Sequence, residues 1–169
     1  MKKGAKPRMS TFIMADSRLL HLQITIAWKN YLSIRHFIIA DDMLASDPFR
    51  SAFLLSDSPD DIEVVIKDLA RLQEGDALPS DGRNTLVITG NLKNVQKLMM
   101  CPFVADAIYV SFVRSRYGGF LARNYALLDQ EDCRILDGLD KLAAPLIFQR
   151  CPADPAFSWN SIKGDAGYV

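Results

Sequence analysis

The chain has 169 residues, enough for one domain with a full hydrophobic core, and its 49 % apolar and 24 % charged residues are ordinary for a globular protein. Lys and Arg together number 20, and Asp and Glu also number 20, so the formal net charge is zero. A neutral protein has no long-range field to attract polyanions, which argues against nucleic acid or an anionic membrane as a partner, and any anion must be bound by a local site.

The sequence shows no typical targeting signal, and this and the cysteine pattern both favour a reducing compartment. No apolar run approaches the roughly 18–20 residues that span a bilayer, and the basic start leads into a polar-interrupted segment that is untypical of a secretory signal. The three cysteines, Cys101, Cys133 and Cys151, are widely spaced and odd in number, so they form neither a zinc pattern nor a disulfide framework. We expect ordinary thiols in a cytoplasmic protein.

Apolar runs alternate with amphipathic stretches along the chain. Runs rich in β-branched and apolar residues predict strands at 11–15, 35–40, 62–66, 85–89, 107–111, 125–128 and 146–149. Apolar residues at helical spacing and cap residues predict helices at about 20–32, 48–55, 67–74, 91–100 and 129–142. Asp47, Asn91 and Asp129 are the predicted N-caps.

This alternation predicts a single α/β domain over residues 1–169, with a mostly parallel sheet and helices on both faces. Composition predicts flexible ends at residues 1–9 and about 160–169. Ligands of such folds bind at the carboxyl ends of the strands, where the loop 16–21 follows the first predicted strand.

That loop contains one of only two histidines, His21, three residues after Arg18 and five after Asp16. A neutral imidazole is a good nucleophile near neutral pH because the unperturbed pKa of histidine is about 6.5. An arginine fork and a helix start are suited to phosphate oxygens, and Asp16 is placed to orient His21 or Arg18. Such a trio is common in structural roles, so the residues alone leave that alternative open. His36 lies in a predicted strand with no recognisable polar cluster, which predicts a structural or surface role.

The run Asp-Ser-Arg-Leu-Leu-His-Leu-Gln at 16–23, followed by Trp28, resembles the signature of the sorbose-type IIB family of sugar phosphotransferase systems. That signature reads Asp, any residue, Arg-Leu-Ile-His-Gly-Gln-Val, and then Trp. Further segments are similar to the family's second strand and following turn, its fourth strand, and its closing helix and strand; they are 38–42, 45–50, 89–98, 128–142 and 146–152. The resemblance covers residues 14–154.

The resemblance implies a three-layer α/β/α sandwich and a phosphoryl-carrier subunit, with no cofactor or metal. The histidine, here His21, would accept phosphate from a IIA partner and pass it to a sugar bound by the membrane components IIC and IID. The protein would then be cytoplasmic and peripherally associated with the permease, and homodimerisation is left open. Asp16 and Arg18 would act with His21, and the phosphate-binding or supporting residues would be Gln23, Asp42, Thr89 and Ser111.

Two departures from the family pattern leave other functions open. Leu22 replaces the glycine that usually follows the histidine, and the glycine pair after the fifth strand corresponds to Ser111 and Phe112. Added bulk at these positions favours, as the alternative, a divergent homologue that binds phosphotransferase partners as a regulator without sugar turnover. A third hypothesis is a small-molecule binder that reuses the fold.

Overall fold

The computed structural model describes residues 9–56, 58–115 and 118–166. The described residues form nine strands: β1 (Thr11–Asp16), β2 (Ile34–Ala40), β3 (Glu63–Lys67), β4 (Asn84–Thr89), β5 (Ala107–Arg114), β6 (Phe120–Ala122), β7 (Ala126–Leu128), β8 (Leu146–Phe148) and β9 (Phe157–Ser158). A π-helical segment, Gln23–Trp28, runs directly into α1 (Lys29–Leu32). The further helices are α2 (Asp42–Ala45), α3 (Pro48–Ser56), α4 (Leu69–Glu74), α5 (Leu92–Leu98), α6 (Gln130–Leu139) and α7 (Trp159–Ala166).

The sheet is mostly parallel, which confirms the predicted fold class. Its strand order is β3-β2-β4-β1-β5-β7-β6, and β8 pairs with β5 beside β7. Every pairing among the first five strands is parallel, whereas β6–β7 and β8–β9 are antiparallel. Strands covered on both faces are nearly continuous apolar runs, as in β2, where only Arg35 is exposed. The order places the carboxyl ends of β4, β1 and β5 side by side.

Two hydrophobic cores lie on opposite faces of the sheet and make the predicted three-layer sandwich. On one face the π-helical segment and α1 pack on β1, β2 and β4, and the buried Trp28 ring lies 4.8 Å from the Tyr109 ring, nearly edge-on. On the other face α4, α5, α6 and α7 cover the alternate residues of the sheet, such as Ile13 on β1 and Val110 on β5. The loop after β1 therefore emerges between two well-packed layers.

The predicted caps are confirmed. Asp47 accepts hydrogen bonds from the backbone of Phe49 and Arg50, and Asn91 accepts one from Asn94. Asp129 makes a capping box with Asp132 at the start of α6. Each cap satisfies backbone N–H groups locally, which is why helix starts were predictable from neighbouring residues alone.

Several elements were not predicted because they depend on tertiary packing. These are α2, β6, β9 and α7, and the π-helical geometry within the first helix. Helix α7 covers most of the tail predicted to be flexible at about 160–169. Its first residue, Trp159, lies just before that tail, is buried and stacks on Phe148 at 5.7 Å. The other residues predicted to be flexible, apart from Met9, are 1–8 and 167–169. They lie outside the described residues. None of the helices in the described part of the chain is long and apolar enough to cross a bilayer.

Candidate functional site

The site is built where β1 ends at a bulge in its pairing with β5. Ala15 pairs with Val110 and Asp16 with Phe112, so Ser111 is the extra residue on β5. Ser17 N donates to the Phe112 carbonyl at 2.7 Å, and Leu19 has a φ of 55°, a left-handed conformation that is uncommon for a residue with a side chain. The backbone therefore turns sharply over residues 17–19 and folds Arg18 and His21 back over the end of β1.

Ser17, which no sequence motif singles out, contacts the ends of three strands. Its hydroxyl donates to the Gly90 carbonyl after β4 at 3.0 Å, and it accepts a hydrogen bond from Arg114 N on β5 at 3.3 Å. The loop after β1 is thus connected to both neighbouring strands. A serine in a turn gives no sequence signal for contacts 73 and 97 residues away.

Asp16, Arg18 and His21 form one hydrogen-bonded cluster. Asp16 is 0 % exposed, and Arg18 binds it in a fork, with Nε 2.9 Å from Oδ1 and Nη2 2.7 Å from Oδ2. His21 Nε2 lies 3.3 Å from the same Oδ2, and Arg18 N donates to Oδ1 at 2.9 Å. Burial acts to raise the pKa of Asp16, but hydrogen bonds from His21 and Arg18 outweigh it and hold the pKa below its ordinary value. Asp16 is therefore an ionised carboxylate at neutral pH.

This arrangement distinguishes the two imidazole nitrogens of His21. An ionised carboxylate only accepts hydrogen bonds, so the Nε2 atom facing Asp16 carries a proton. In the neutral ring the other nitrogen, Nδ1, then holds the lone pair. The His21 side chain is 22 % exposed, so part of the ring is open to an incoming group. Asp16 is placed to orient a nucleophilic Nδ1.

The start of the following helix holds the histidine backbone. The His21 carbonyl accepts hydrogen bonds from Ile24 N at 2.9 Å and Thr25 N at 3.0 Å. Gln23 Oε1 accepts a hydrogen bond from Arg18 Nη2 at 3.3 Å, so this predicted supporting residue joins the cluster. The guanidinium of Arg18 also lies 4.5 Å from the centre of the Phe112 ring. Aspartate, glutamine and an aromatic ring therefore surround Arg18.

The other three predicted supporting residues have different surroundings. Asp42 lies at the start of α2 and accepts a hydrogen bond from Leu69 N at 2.8 Å. Thr89 is buried at the end of β4, and its hydroxyl has no hydrogen-bond partner among the described residues. Ser111 is buried at the bulge of β5 and donates to the Arg150 carbonyl at 2.9 Å. No hydrogen bond within the described ranges connects these three residues to His21.

Leu22 adopts an ordinary helical conformation, with φ −50° and ψ −40°, so the backbone there does not require glycine. Its side chain is 76 % exposed. Leu22 therefore affects the space outside the site, where a partner would approach, and leaves the turn unchanged.

The prediction that His36 has no polar cluster is wrong. His36 is 3 % exposed, its Nε2 lies 3.0 Å from both carboxylate oxygens of Asp81, and its Nδ1 lies 3.1 Å from Glu63 Oε2. Arg83 pairs with the same Asp81, and this pairing is the main reason that the pKa of Asp81 falls to about 2. His36 was missed because Asp81 is 45 residues away in the chain. Its place near the amino end of β2 separates it from the loop after β1.

Comparisons with known proteins agree with the fold. The profile of the family described as PTS system sorbose subfamily IIB component matches residues 10–167. The chain is similar to the IIBSor domain of the sorbose permease from Klebsiella pneumoniae, with 19 % identity, a TM-score of 0.83, and coverage of 95 % of this chain and 100 % of that chain.

Two further solved structures share this fold. One is manxB from Thermoanaerobacter tengcongensis, with 18 % identity and a TM-score of 0.80, covering 95 % of this chain and 98 % of that chain. The other is a PTS-dependent N-acetyl-galactosamine-IIB component from Streptococcus pyogenes, with 14 % identity and a TM-score of 0.80, covering 95 % of this chain and 98 % of that chain. The range matched by the profile includes every predicted site residue.

Proposed function

Because the chain belongs to the sorbose subfamily of PTS system IIB components, and hence to a phosphotransferase system, we propose that it carries a phosphoryl group on His21. The phosphoryl group comes from a histidine of a IIA partner and passes to a sugar bound by the membrane components IIC and IID. The protein acts in the cytoplasm, at the surface of its permease. The observation that carries this proposal is the contact of His21 Nε2 with the ionised Asp16, which leaves Nδ1 as the nucleophile.

In the first transfer the phosphoryl group moves from the donor histidine to His21. The lone pair of His21 Nδ1 attacks the phosphorus of the donor phosphohistidine, so an N–P bond forms on His21 as the donor N–P bond breaks. The donor imidazole keeps the electron pair of the broken bond. The proton on Nε2 stays next to Asp16, which stabilises the positive charge that develops on the His21 ring. The Arg18 guanidinium, which is paired with Asp16, supplies only part of the positive charge that the phosphoryl oxygens require.

In the second transfer His21 is the phosphoryl donor and a sugar hydroxyl is the acceptor. A sugar hydroxyl oxygen attacks the phosphorus, its proton passes to water, and the electron pair of the His21 N–P bond returns to Nδ1. Asp16 again holds the Nε2 proton, so the same tautomer is regenerated for the next cycle. Asp16 thus orients His21 in both directions without giving up its own charge, in agreement with its lowered pKa.

A second candidate function rests on Leu22 and Phe112. Leu22 is 76 % exposed directly after His21, and the partly buried Phe112 packs under Arg18 where the family has glycine. Both side chains take up space that a partner would use. These features fit a homologue that binds phosphotransferase partners as a regulator, without passing phosphate to sugar.

The test is phosphorylation by the general phosphoenolpyruvate relay and a matched IIA protein, followed by intact mass and peptide mapping. We expect one phosphoryl group, on His21, that is labile in acid and stable in base. His36 serves as the internal control, because it is 3 % exposed and enclosed by carboxylates. His21→Ala should remove the label and lower the free energy of unfolding by about 1.5 kcal/mol, the low end of the range for a hydrogen bond to a charged group.

The outcomes separate the two functions. Label that survives in the His21→Ala protein would refute the assignment of the carrier residue. A wild-type protein that binds the IIA partner but takes no label would favour the regulatory homologue. Label that moves on to sugar in the presence of the membrane components would favour transport.

A further inference from the structure

The cations around His21 are not equally free to bind a phosphoryl group. Both donor atoms of the Arg18 fork, Nε and Nη2, are occupied by Asp16, and Nη2 also contacts Gln23. The Asp16–Arg18 pair is therefore nearly neutral as a unit. A phosphohistidine carries close to two negative charges near neutral pH, as other phosphorylated side chains do, so the cluster by itself leaves it under-neutralised.

A second arginine lies on the same aromatic ring. The guanidinium carbon of Arg114 is 5.2 Å from the centre of the Phe112 ring, and that of Arg18 is 4.5 Å from the same centre. Arg114 is exposed at the end of β5, and its backbone N–H donates to the hydroxyl of Ser17 in the loop before His21. Phe112 and Ser17 thus connect Arg114 to the elements that hold His21.

Arg114 is not committed to a carboxylate within the described part of the chain. It lines a crevice of about 580 Å³ at the carboxyl ends of β1, β4 and β5. The crevice also contains four carboxylates, each with another partner: Asp41 caps α2, Asp129 binds Ser115, Glu131 pairs with Lys93, and Asp132 accepts a hydrogen bond from Asp129 N. The guanidinium of Arg114 therefore keeps its full charge for a ligand at this edge of the sheet.

We propose that Arg114 is the phosphate-binding cation that completes the His21 site, and that the Phe112 ring positions it. This inference rests on the proposed carrier function. Arg18 keeps Asp16 ionised and the His21 ring oriented, while Arg114 swings from the Phe112 ring to the phosphoryl oxygens. The bulky Phe112 is then a part of the site of this protein and no obstruction, because only an aromatic face holds two guanidinium groups by this contact.

The experiment uses the full chain with two small probes that need no partner protein. Inorganic phosphate is titrated while the arginine Nε–Hε signals are followed by NMR, and phosphoramidate is used as a direct phosphoryl donor, with the label on His21 measured by intact mass. The variants are Arg114→Ala, Arg114→Lys, Phe112→Leu and Phe112→Tyr. The matched control is Arg35→Ala, an exposed arginine near the amino end of β2.

We expect Arg114→Ala to weaken phosphate binding and to slow labelling about tenfold or more, the factor for the loss of one charge-assisted hydrogen bond. Arg114→Lys should recover part of both, because the charge returns without the fork. Phe112→Leu should raise the phosphoramidate concentration needed for half-maximal labelling, with a smaller change in the maximal rate, and Phe112→Tyr should restore the wild-type value. Arg35→Ala should change neither probe.

The two proposals fail in different ways. If His21 is labelled and Arg114→Ala binds phosphate and takes label like the wild type, the role of Arg114 is refuted while the carrier function stands. If phosphate binds in an Arg114-dependent manner but His21 takes no label from any donor, the carrier function fails and the anion site stands. A wild-type protein that neither binds phosphate nor takes label refutes both.

Discussion

Replacing Asp16 with asparagine tests the central step, because the shape of the side chain is kept and its charge is lost. The asparagine side chain has one accepting oxygen, which Arg18 Nε and the Arg18 backbone N–H can still use. The amide NH₂ group would then face Arg18 Nη2 and His21 Nε2, both of which donate to Asp16 in the wild type. To avoid two facing donors, the His21 ring must give up its Nε2 proton and hold it on Nδ1.

The magnitude follows from those contacts. The altered tautomer blocks the nucleophilic nitrogen, and the analogous substitution in serine proteases lowers kcat about 10⁴-fold. We expect the rate of label transfer to His21 to fall at least about 100-fold. The expected loss is smaller than in the serine proteases because the Asp16→Asn protein keeps Arg18. The free energy of unfolding should fall by about 2 kcal/mol, because a charge-assisted hydrogen bond contributes about 1.5–3 kcal/mol. The value lies toward the low end because the Arg18 side chain is 36 % exposed and partly solvated.

The assay combines three measurements on the Asp16→Asn protein. These are the single-turnover rate of transfer from IIA, urea unfolding, and the nitrogen chemical shifts of His21, which report the tautomer. The matched control is Asp61→Asn, because Asp61 also receives two cations, Lys29 and Arg35, but on the exposed surface. It should leave both the free energy of unfolding and the transfer rate close to their wild-type values. An Asp16→Asn protein that transfers at the wild-type rate, with Nδ1 unprotonated, would refute the role of Asp16.

Two further predictions concern Leu22 and acid stability. Leu22→Gly should lower the free energy of unfolding by at most about 1 kcal/mol, because position 22 has helical dihedral angles but lies at the start of the helix. If the exposed leucine obstructs docking, the change should speed transfer from IIA. An unchanged or slower rate in a stopped label assay would contradict that obstruction. The pKa of Asp16 is lower in the folded than in the unfolded chain, so its stabilising contribution is complete above the unfolded value of about 4 and is lost as pH falls through the folded value. Urea unfolding from pH 6 to pH 2.5 should therefore show a steeper loss of stability below about pH 4 in the wild type than in Asp16→Asn, and parallel curves would contradict this.

The two histidines show which contacts can be predicted from neighbouring residues in the sequence and which cannot. His21 was identified together with Asp16 and Arg18 because the three lie within six residues and their order resembles a family signature. The residues beside His36 in the sequence predict no polar neighbours, although Glu63 on β3 and Asp81 in the loop before β4 approach it from two sides. Those partners are set by the pairing of β2 with β3 and by the path of the loop, neither of which is visible from the residues beside His36.

The sequence by itself determined the alternation of strands and helices, the caps Asp47, Asn91 and Asp129, and the loop that contains His21. These features depend on residues a few positions apart, through side-chain periodicity and local hydrogen bonds. Only the tertiary structure decided which nitrogen of His21 is free, and which arginine is bound by Asp16. Only it brought Arg114 onto the Phe112 ring, because that contact depends on the extension of β5 beyond its predicted end and on the bulge against β1. Strand order and register arise from long-range packing of both faces of the sheet, so they place side chains that no local pattern connects.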